Sequence, residues 1–228
     1  MLHLKGENPE ERLKRAIIEA DIYAECGIDA MIVEDYYGET ADVENALAAL
    51  SAQRPQYTLG VNVLDNFSKS YELALRYGAR FMQVDSVCGH LDPGAEKAYF
   101  DMIDGYRQDK KISVIGGVRF KYQPYLSNRS LQEDLEIGMR HCDAIAVTGA
   151  GTGLDTGTEK LKQFREIVGD FPLVVAAGMT METVLEKLSI GDAAIVGSTF
   201  KDTRKDTGDV LAANVQEFMN KVRSCFRS

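Results

Sequence analysis

Side chains able to move protons or hold charge sit at the ends of several short apolar runs. Glu34 closes Met31-Ile-Val33-Glu34, Asn62 lies in Leu59-Gly-Val61-Asn62-Val63, and Asp85 closes Phe81-Met82-Gln83-Val84-Asp85. Arg119 and Lys121 follow Val118, and His3 and Lys5 lie in the run that opens the chain. If these runs are β-strands, successive residues along each point to opposite faces. Met31, Val33, Val61, Met82 and Val84 then share an apolar, helix-facing side. His3, Lys5, Glu34, Asn62, Gln83, Asp85, Arg119 and Lys121 share the other side, joined by Thr148 from Ile145-Ala-Val147-Thr148.

A carboxylate at Glu34 or Asp85 can act as a general acid or base, its pKa set by burial and by nearby cations. Glu34 with Lys121 can equally be a buried ion pair that only orders the interior. Asp85 can instead cap the following loop through an Asx turn. Lys121 suits stabilisation of developing negative charge, or a Schiff base where desolvation lowers its pKa. Arg119 can grip a carboxylate or phosphate with two parallel N–H groups. Asn62 can orient a hydroxyl, and His3 completes the catalytic candidates.

A second set of candidates is glycine-rich. Thr148-Gly149-Ala-Gly151-Thr152-Gly153, Ala176-Ala-Gly178-Met-Thr180 and Ile195-Val-Gly197-Ser198-Thr199 each follow an apolar run. Glycine lets backbone N–H groups approach an anion closely, and an adjoining helix N-terminus adds a favourable dipole. The alternative is that these glycines merely make tight turns. The hydroxyls that accompany them favour phosphate, with Gly149, Thr152, Gly153, Gly178, Gly197 and Ser198 as expected ligands and Lys201 adding charge. The spacing Gly149-x-Gly151-x-Gly153 is not a dinucleotide fingerprint, and the next apolar run ends in Gly178 without the ribose-binding acid. No cofactor is expected. Cys88-Gly-His90 puts a thiol beside an imidazole, which suits a nucleophile or half of a metal site, but no spaced cluster completes four ligands and no metal is expected. Its role stays open. His141 suits a helix C-terminus, and Cys26, Cys142 and Cys225 fall in helical or near-helical runs, where packing is the natural role.

Positioning these residues requires a regular scaffold. Strands are expected near 1–4, 29–34, 58–64, 81–85, 112–119, 144–148, 172–177 and 193–197. Helices are expected near 9–26, 40–53, 68–77, 95–110, 130–141, 159–168, 180–188 and 208–225. The spacing of about 21–32 residues between later strands is that of βα units with short loops. Local signals agree: Pro9 with Glu10 and Glu11 opens a helix, and Ser130-Leu-Gln-Glu133 has capping-box spacing. Gly27, Gly78 and Gly191 follow helical runs as left-handed terminators. Strict alternation argues for a parallel sheet, and eight units of about 28 residues favour a closed (β/α)8 TIM barrel over an open sheet. The expectation is a single α/β domain over 1–228, its polar residues gathered at the C-terminal mouth.

The 228 residues carry 26 Lys+Arg against 35 Asp+Glu, a formal charge of −9. Such a chain repels polyanions, which argues against nucleic acid and anionic membranes as partners. No apolar run approaches the roughly 20 residues of a membrane span, and Met1-Leu-His-Leu-Lys5 is too short and polar for a signal peptide. Four separated cysteines without a CxxC suit reduced thiols in the cytoplasm.

Met1-Leu-His-Leu-Lys5, Ile32-Val-Glu34-Asp35, Leu59-Gly-Val-Asn62-Val-Leu64, Val147-Thr-Gly149 with Thr152-Gly153, and Ile195-Val-Gly197-Ser198 occur in that order. Together, over nearly the whole chain, they resemble the BtpA/SgcQ family of (β/α)8 proteins. The GVNVL and VED runs are the more specific. Asp35 stands where the family pattern has Asn, and that pattern begins several residues earlier, so the first strand looks shortened. The resemblance implies a barrel related to ribulose-phosphate-binding barrels, and a homo-oligomer by likeness to related barrels. It implies no one reaction, since members are described as photosystem I biogenesis factors and as nucleosidases or sugar-metabolism proteins.

The residues and the resemblance together point to an enzyme acting on a small phosphorylated sugar or nucleoside-like substrate by isomerase, epimerase, lyase or glycosidase chemistry. The alternatives are a non-catalytic assembly factor on the same barrel, and a nucleosidase without phosphate recognition that depends on Glu34 or Asp85.

Overall fold

The structure, a computed structural model, describes residues 1–108 and 110–226. Among them helices and strands alternate along the chain. α1 (Pro9–Glu25) leads to β1 (Met31–Glu34), α2 (Thr40–Gln53) to β2 (Leu59–Asn62), and α3 (Phe67–Tyr77) to β3 (Phe81–Cys88). Then follow α4 (Pro93–Arg107), β4 (Ser113–Val118), α5 (Leu131–His141), β5 (Ala144–Val147), α6 (Thr158–Val168), β6 (Leu173–Val175), α7 (Val184–Leu188), β7 (Ala193–Ala194) and α8 (Ala212–Phe226). The strands form one sheet in chain order. The pairs β1–β2, β2–β3, β4–β5, β5–β6 and β6–β7 are parallel. Contacts divide the chain into two compact units, Met1–Gln83 with Phe200 onward, and Val84–Thr199.

The elements form where local chemistry directs them. The Asn8 side chain accepts the Glu11 N–H at 2.9 Å, with Pro9 and Glu10 in the first turn of α1. Ser130 and Glu133 make the expected capping box on α5. Gly78 ends α3 at φ 69°, as a left-handed terminator should. Gly191 does not share that conformation. It is buried close to β6, where a Cβ would stand 3.0 Å from a Val175 methyl.

Several boundaries depart from expectation, and β6 and β7 end early, at Val175 and Ala194, where 177 and 197 were expected. The strand expected at 1–4 is reduced to a single parallel bridge between Leu2 and Val33, because Leu4 adopts φ 51° and ends the extended run. β3 continues to Cys88, so Asp85 stands within the strand and not at its end. The helix expected from 180 begins at Val184, since the Thr180 and Thr183 hydroxyls bond each other and each other's backbone N–H first. The helix expected from 208 begins at Ala212, because an antiparallel bridge between Lys201 and Val210 holds the preceding segment, and a 3-10 turn at Ser198–Phe200 was not anticipated. α4 covers most of the helix expected over 95–110, and residue 109 lies outside the described residues.

Each unit has its own apolar interior. In the first, Val33, Val43, Leu47, Leu50, Val61 and Leu73 are fully buried, and Phe200 packs between Tyr23 and Phe218 with ring centroids 5.6 and 5.3 Å away. In the second, Val87, Ile103, Val114, Leu135, Ile145 and Leu161 are fully buried. Burying each such side chain contributes about 1.5–3 kcal/mol before chain entropy is subtracted. Among the described residues no helix is long and apolar enough to cross a membrane.

Candidate functional site

In the first unit, parallel register sets Glu34 on β1 directly beside Asn62 on β2. Both are buried. The Asn62 amide Nδ2 donates to Glu34 Oε1 at 2.8 Å, and His3 Nε2 lies 3.7 Å from Glu34 Oε2. The His3 ring, buried too, packs against Tyr36 and Tyr37 at centroid distances of 5.1 and 6.3 Å. Burial, and then the Asp206 carboxylate that accepts its hydrogen bond at 2.7 Å, push the Tyr37 hydroxyl's pKa upward. A buried carboxylate flanked by an amide donor and an imidazole can accept or return a proton. Three of the expected catalytic residues therefore stand together.

Other expected residues of this unit are placed differently. Lys5 donates to the Thr207 carbonyl and lies 3.7 Å from Asp209. Lys201, expected to add charge beside a phosphate, is buried and paired with Glu19 at 3.0 Å. Asp35 accepts the Leu64 N–H at 2.9 Å, a loop-fixing bond.

In the second unit, Asp85 is half-buried. Burial first, then Cys88 and last Asp85, raise the pKa of the Tyr99 hydroxyl, which donates to the Ser86 carbonyl at 2.6 Å. Cys88 is buried and its Sγ lies 3.2 Å from the Asp134 carbonyl. Burial first, and then Asp134, push this thiol up to about 12, so it is not a ready nucleophile. His90 packs edge-on to Tyr99, 4.8 Å between centroids. Among the described residues no group of three or more His, Cys, Asp and Glu side chains stands together as metal ligands would.

Arg119 and Lys121, expected to share a face, part company. Arg119 lies just past β4 at φ 49°. Its Nε donates to Asp134 at 3.0 Å and one terminal nitrogen to the Tyr125 hydroxyl and the Arg129 carbonyl, at 2.6 and 2.8 Å. Asp134, almost wholly buried, also takes Arg129 Nε at 2.9 Å and the Ser127 hydroxyl at 3.1 Å. Arg129 in turn grips Glu96 bidentately at 2.6 and 2.7 Å. The Arg119 guanidinium thus belongs to a network that ties β4 to α4 and α5.

Lys121 goes to the glycine-rich loop. Its N–H donates to the Thr148 hydroxyl at 2.9 Å, and its ammonium to Thr152 Oγ1 at 3.2 Å. Two further ammonium groups reach the same region from helices. Lys160 Nζ on α6 donates to the Thr148 carbonyl at 2.6 Å, and burial, then Arg119, lower its pKa. Lys187 on α7 is completely buried, and its ammonium bonds the Asp155 carboxylate and, at 3.1 Å, the Gly178 carbonyl. Neither was anticipated. Both left a signal: Lys160 sits in the first turn of α6, where the dipole disfavours a cation, and Lys187 falls three residues after Val184 and one before Leu188, on the apolar face.

The expected phosphate ligands frame this cluster. A Cβ on Gly149 would stand 2.7 Å from the Leu154 carbonyl oxygen, and one on Gly178 would overlap that oxygen and lie 2.5 Å from the Asp155 Cα. Gly153, at φ 71°, lies against Ser198, whose Oγ would be 3.2 Å from an added Cβ. Gly197 precedes the 3-10 turn that Ser198 opens, and both are half-buried. The Thr152 N–H donates to the Tyr122 hydroxyl at 2.9 Å. A separate surface cavity of about 670 Å³ is lined by Lys162 and Arg165 of α6 and by Gly169, Ile190 and Asp192 in the loops that enter β6 and β7. Those loops lie at the strand N-termini, the end that such folds use for stability.

Parallel strands alternating with helices in chain order, with polar groups on the loops that leave the strands, define a (β/α)8 barrel. Solved structures share it. Phosphoribosyl anthranilate isomerase from Thermus thermophilus superposes with a TM-score of 0.65 at 15% identity, covering 91% of this chain and 94% of that one. For 3-keto-L-gulonate-6-phosphate decarboxylase from Vibrio cholerae the TM-score is 0.61 at 15% identity, covering 96% and 95%.

The chain belongs to the BtpA family, whose model matches residues 6–224. Among its relatives, the sgc region protein SgcQ of Escherichia coli strain K12 is 31% identical over 176 residues, covering 72% of this chain and 63% of that protein.

Proposed function

We propose that this chain is an enzyme acting on a small phosphorylated sugar or nucleoside-like substrate, by acid–base chemistry of the isomerase, epimerase, lyase or glycosidase kind. The observation that carries the reading is the convergence of Lys121, Lys160 and Lys187 on the loops after β5 and β6, in a chain of net charge −9. An acidic protein that points three ammonium groups at glycine-rich turns is organised to hold an anion. The names of the two structural neighbours, an isomerase of a phosphoribosyl compound and a decarboxylase of a sugar 6-phosphate, lend support at the level of fold.

In this reading Gly149, Thr152, Gly153, Gly178, Gly197 and Ser198 receive the phosphate, and Lys121 balances its charge. Glu34 moves the proton, with Asn62 and His3 holding its carboxylate, and Asp85 is the second acid–base candidate. Arg119 acts by positioning, since its Nε and one terminal nitrogen are engaged by Asp134, Tyr125 and Arg129. The proposal takes residues 1–228 as one barrel domain, working in the cytoplasm as a homo-oligomer on a small molecule.

Titration calorimetry with ribose 5-phosphate, glucose 6-phosphate and nucleoside monophosphates tests it. Binding that Lys121→Met weakens supports the reading. Unphosphorylated nucleosides binding equally well would favour a nucleosidase without phosphate recognition, and no binding of any of them would favour a non-catalytic assembly role.

A further inference from the structure

The Leu154–Asp155 segment covers the turns that the glycines open. The Leu154 carbonyl fills the space beside Gly178, the Asp155 and Leu154 carbonyls fill that beside Gly149, and the Asp155 carboxylate bonds the Lys187 ammonium. Lys187 is sealed, its side chain 0% exposed, while the Asp155 side chain that seals it is 56% exposed. The segment is held from both sides by polar bonds. The Thr152 N–H bonds the Tyr122 hydroxyl, and the buried Thr156 hydroxyl donates to the Ala177 carbonyl at 2.9 Å. Between these anchors, Leu154 leaves more than half of its apolar side chain in solvent. A segment secured by a few polar contacts and little apolar burial opens at low cost.

We infer that Lys187 is a latent anion-binding residue and that Asp155 is its internal competitor: residues 153–155 form a latch whose carboxylate occupies the ammonium that a phosphomonoester takes when it binds. This deepens the proposed function and rests on it. The exchange is favourable on charge. A phosphomonoester brings about −1.5 to −2 charges and three strong acceptor oxygens, against one charge on Asp155. Lifting the latch also clears the backbone at Gly149 and Gly178, whose N–H groups can then face the anion. Gly153, at φ 71°, supplies a hinge that no β-branched residue could replace cheaply.

The test is titration calorimetry with inorganic phosphate and with ribose 5-phosphate on the full chain and three variants. Asp155→Asn removes the competing charge from a half-exposed position, and both ligands should bind about tenfold tighter, the weight of one charge-assisted contact. Lys187→Met should abolish that gain in the Asp155→Asn background. Lys187→Arg keeps the charge, guards against simple misfolding, and should bind more weakly than the parent while retaining its circular dichroism spectrum. Amide exchange should rise at 153–155 on adding phosphate to the unaltered protein. Equal affinity of the parent and Asp155→Asn overturns the latch and leaves the phosphate reading standing. Binding by neither overturns both. Tighter binding by Asp155→Asn that survives Lys187→Met overturns the assignment of Lys187.

Discussion

The side-chain amide of Asn62 donates to the carboxylate of Glu34 at 2.8 Å across two parallel strands in register, with both residues buried. Such a bond has a structural value that must be separated from any chemical one. Asn62→Leu removes the donor and leaves a buried carboxylate oxygen without it, at a cost of about 1–3 kcal/mol. Glu34→Gln keeps the shape and an acceptor oxygen, so its stability should change by less. The expected pattern in urea unfolding is therefore a clear loss for Asn62→Leu and a small one for Glu34→Gln. In any assay that detects turnover, Glu34→Gln should lose at least about a hundredfold, the usual weight of a general acid or base. Full turnover in Glu34→Gln would remove Glu34 from the chemistry.

The backbone was more legible in the sequence than the site. Apolar runs alternating with amphipathic ones marked the seven strands and eight helices observed among the described residues, and α2 begins and ends at the expected residues. The polar alternation put Glu34 and Asn62 on one face, and parallel register sets them side by side, while His3 reaches Glu34 from outside any strand. What it could not carry was backbone conformation at single positions. The left-handed turns at Leu4 and Arg119 are not written in residue type, and each redirects the chain. The first reduces the opening strand to a bridge, and the second turns an expected ligand-binding guanidinium toward Asp134. Long side chains gave the other miss. Lys160 and Lys187 belong to helices that sequence reading assigns to the outer layer, yet each has a stem long enough to deliver its ammonium to a loop.

Gly117 on β4 sets how closely that strand approaches β3. A Cβ there would overlap the Asp85 carbonyl oxygen and stand 2.5 Å from the Phe120 ring. The overlapped atom is backbone, which cannot swing aside. Gly117→Ala should cost about 1–3 kcal/mol or more through forced strand displacement, and should displace Asp85. Thermal unfolding checks the first effect. An unchanged melting temperature would mean that the two strands part without strain.

The four thiols differ in access. Cys26, Cys88 and Cys142 are buried, while Cys225 is exposed, contrary to the packing role expected for it. Burial pushes Cys88 and Cys142 up to about 12 and raises Cys26 as well. A colorimetric disulfide-exchange reagent should therefore titrate one thiol rapidly in the native protein and all four in denaturant. Cys225→Ser should abolish the fast phase. A second fast thiol that disappears in Cys88→Ser would show Cys88 to be accessible after all, and would reopen a nucleophilic role for it.

The Arg129–Glu96 pair makes stability depend on pH in a defined direction. The Arg129 guanidinium, helped by the Gly89 N–H at 2.8 Å, holds the Glu96 carboxyl below the usual range against the opposing effect of burial. In the unfolded chain that carboxyl takes its proton at the ordinary, higher pH. Between the two values the unfolded state binds more protons, so stability rises with pH there. The contribution is complete above the ordinary glutamate range and is lost as pH falls through the lowered value. Removing the cation is the harsher change. Arg129→Met strips charge partners from both Glu96 and Asp134, the latter 1% exposed, and should cost about 3–5 kcal/mol. Glu96→Gln leaves Arg129 bonded to Asp134 and should cost less at neutral pH. Urea unfolding of the parent and Glu96→Gln at a series of pH values provides the measurement. Their stability difference should be greatest near neutrality and shrink steadily below the ordinary glutamate range. A difference that stays constant into acid would mean that the ion pair contributes through packing alone.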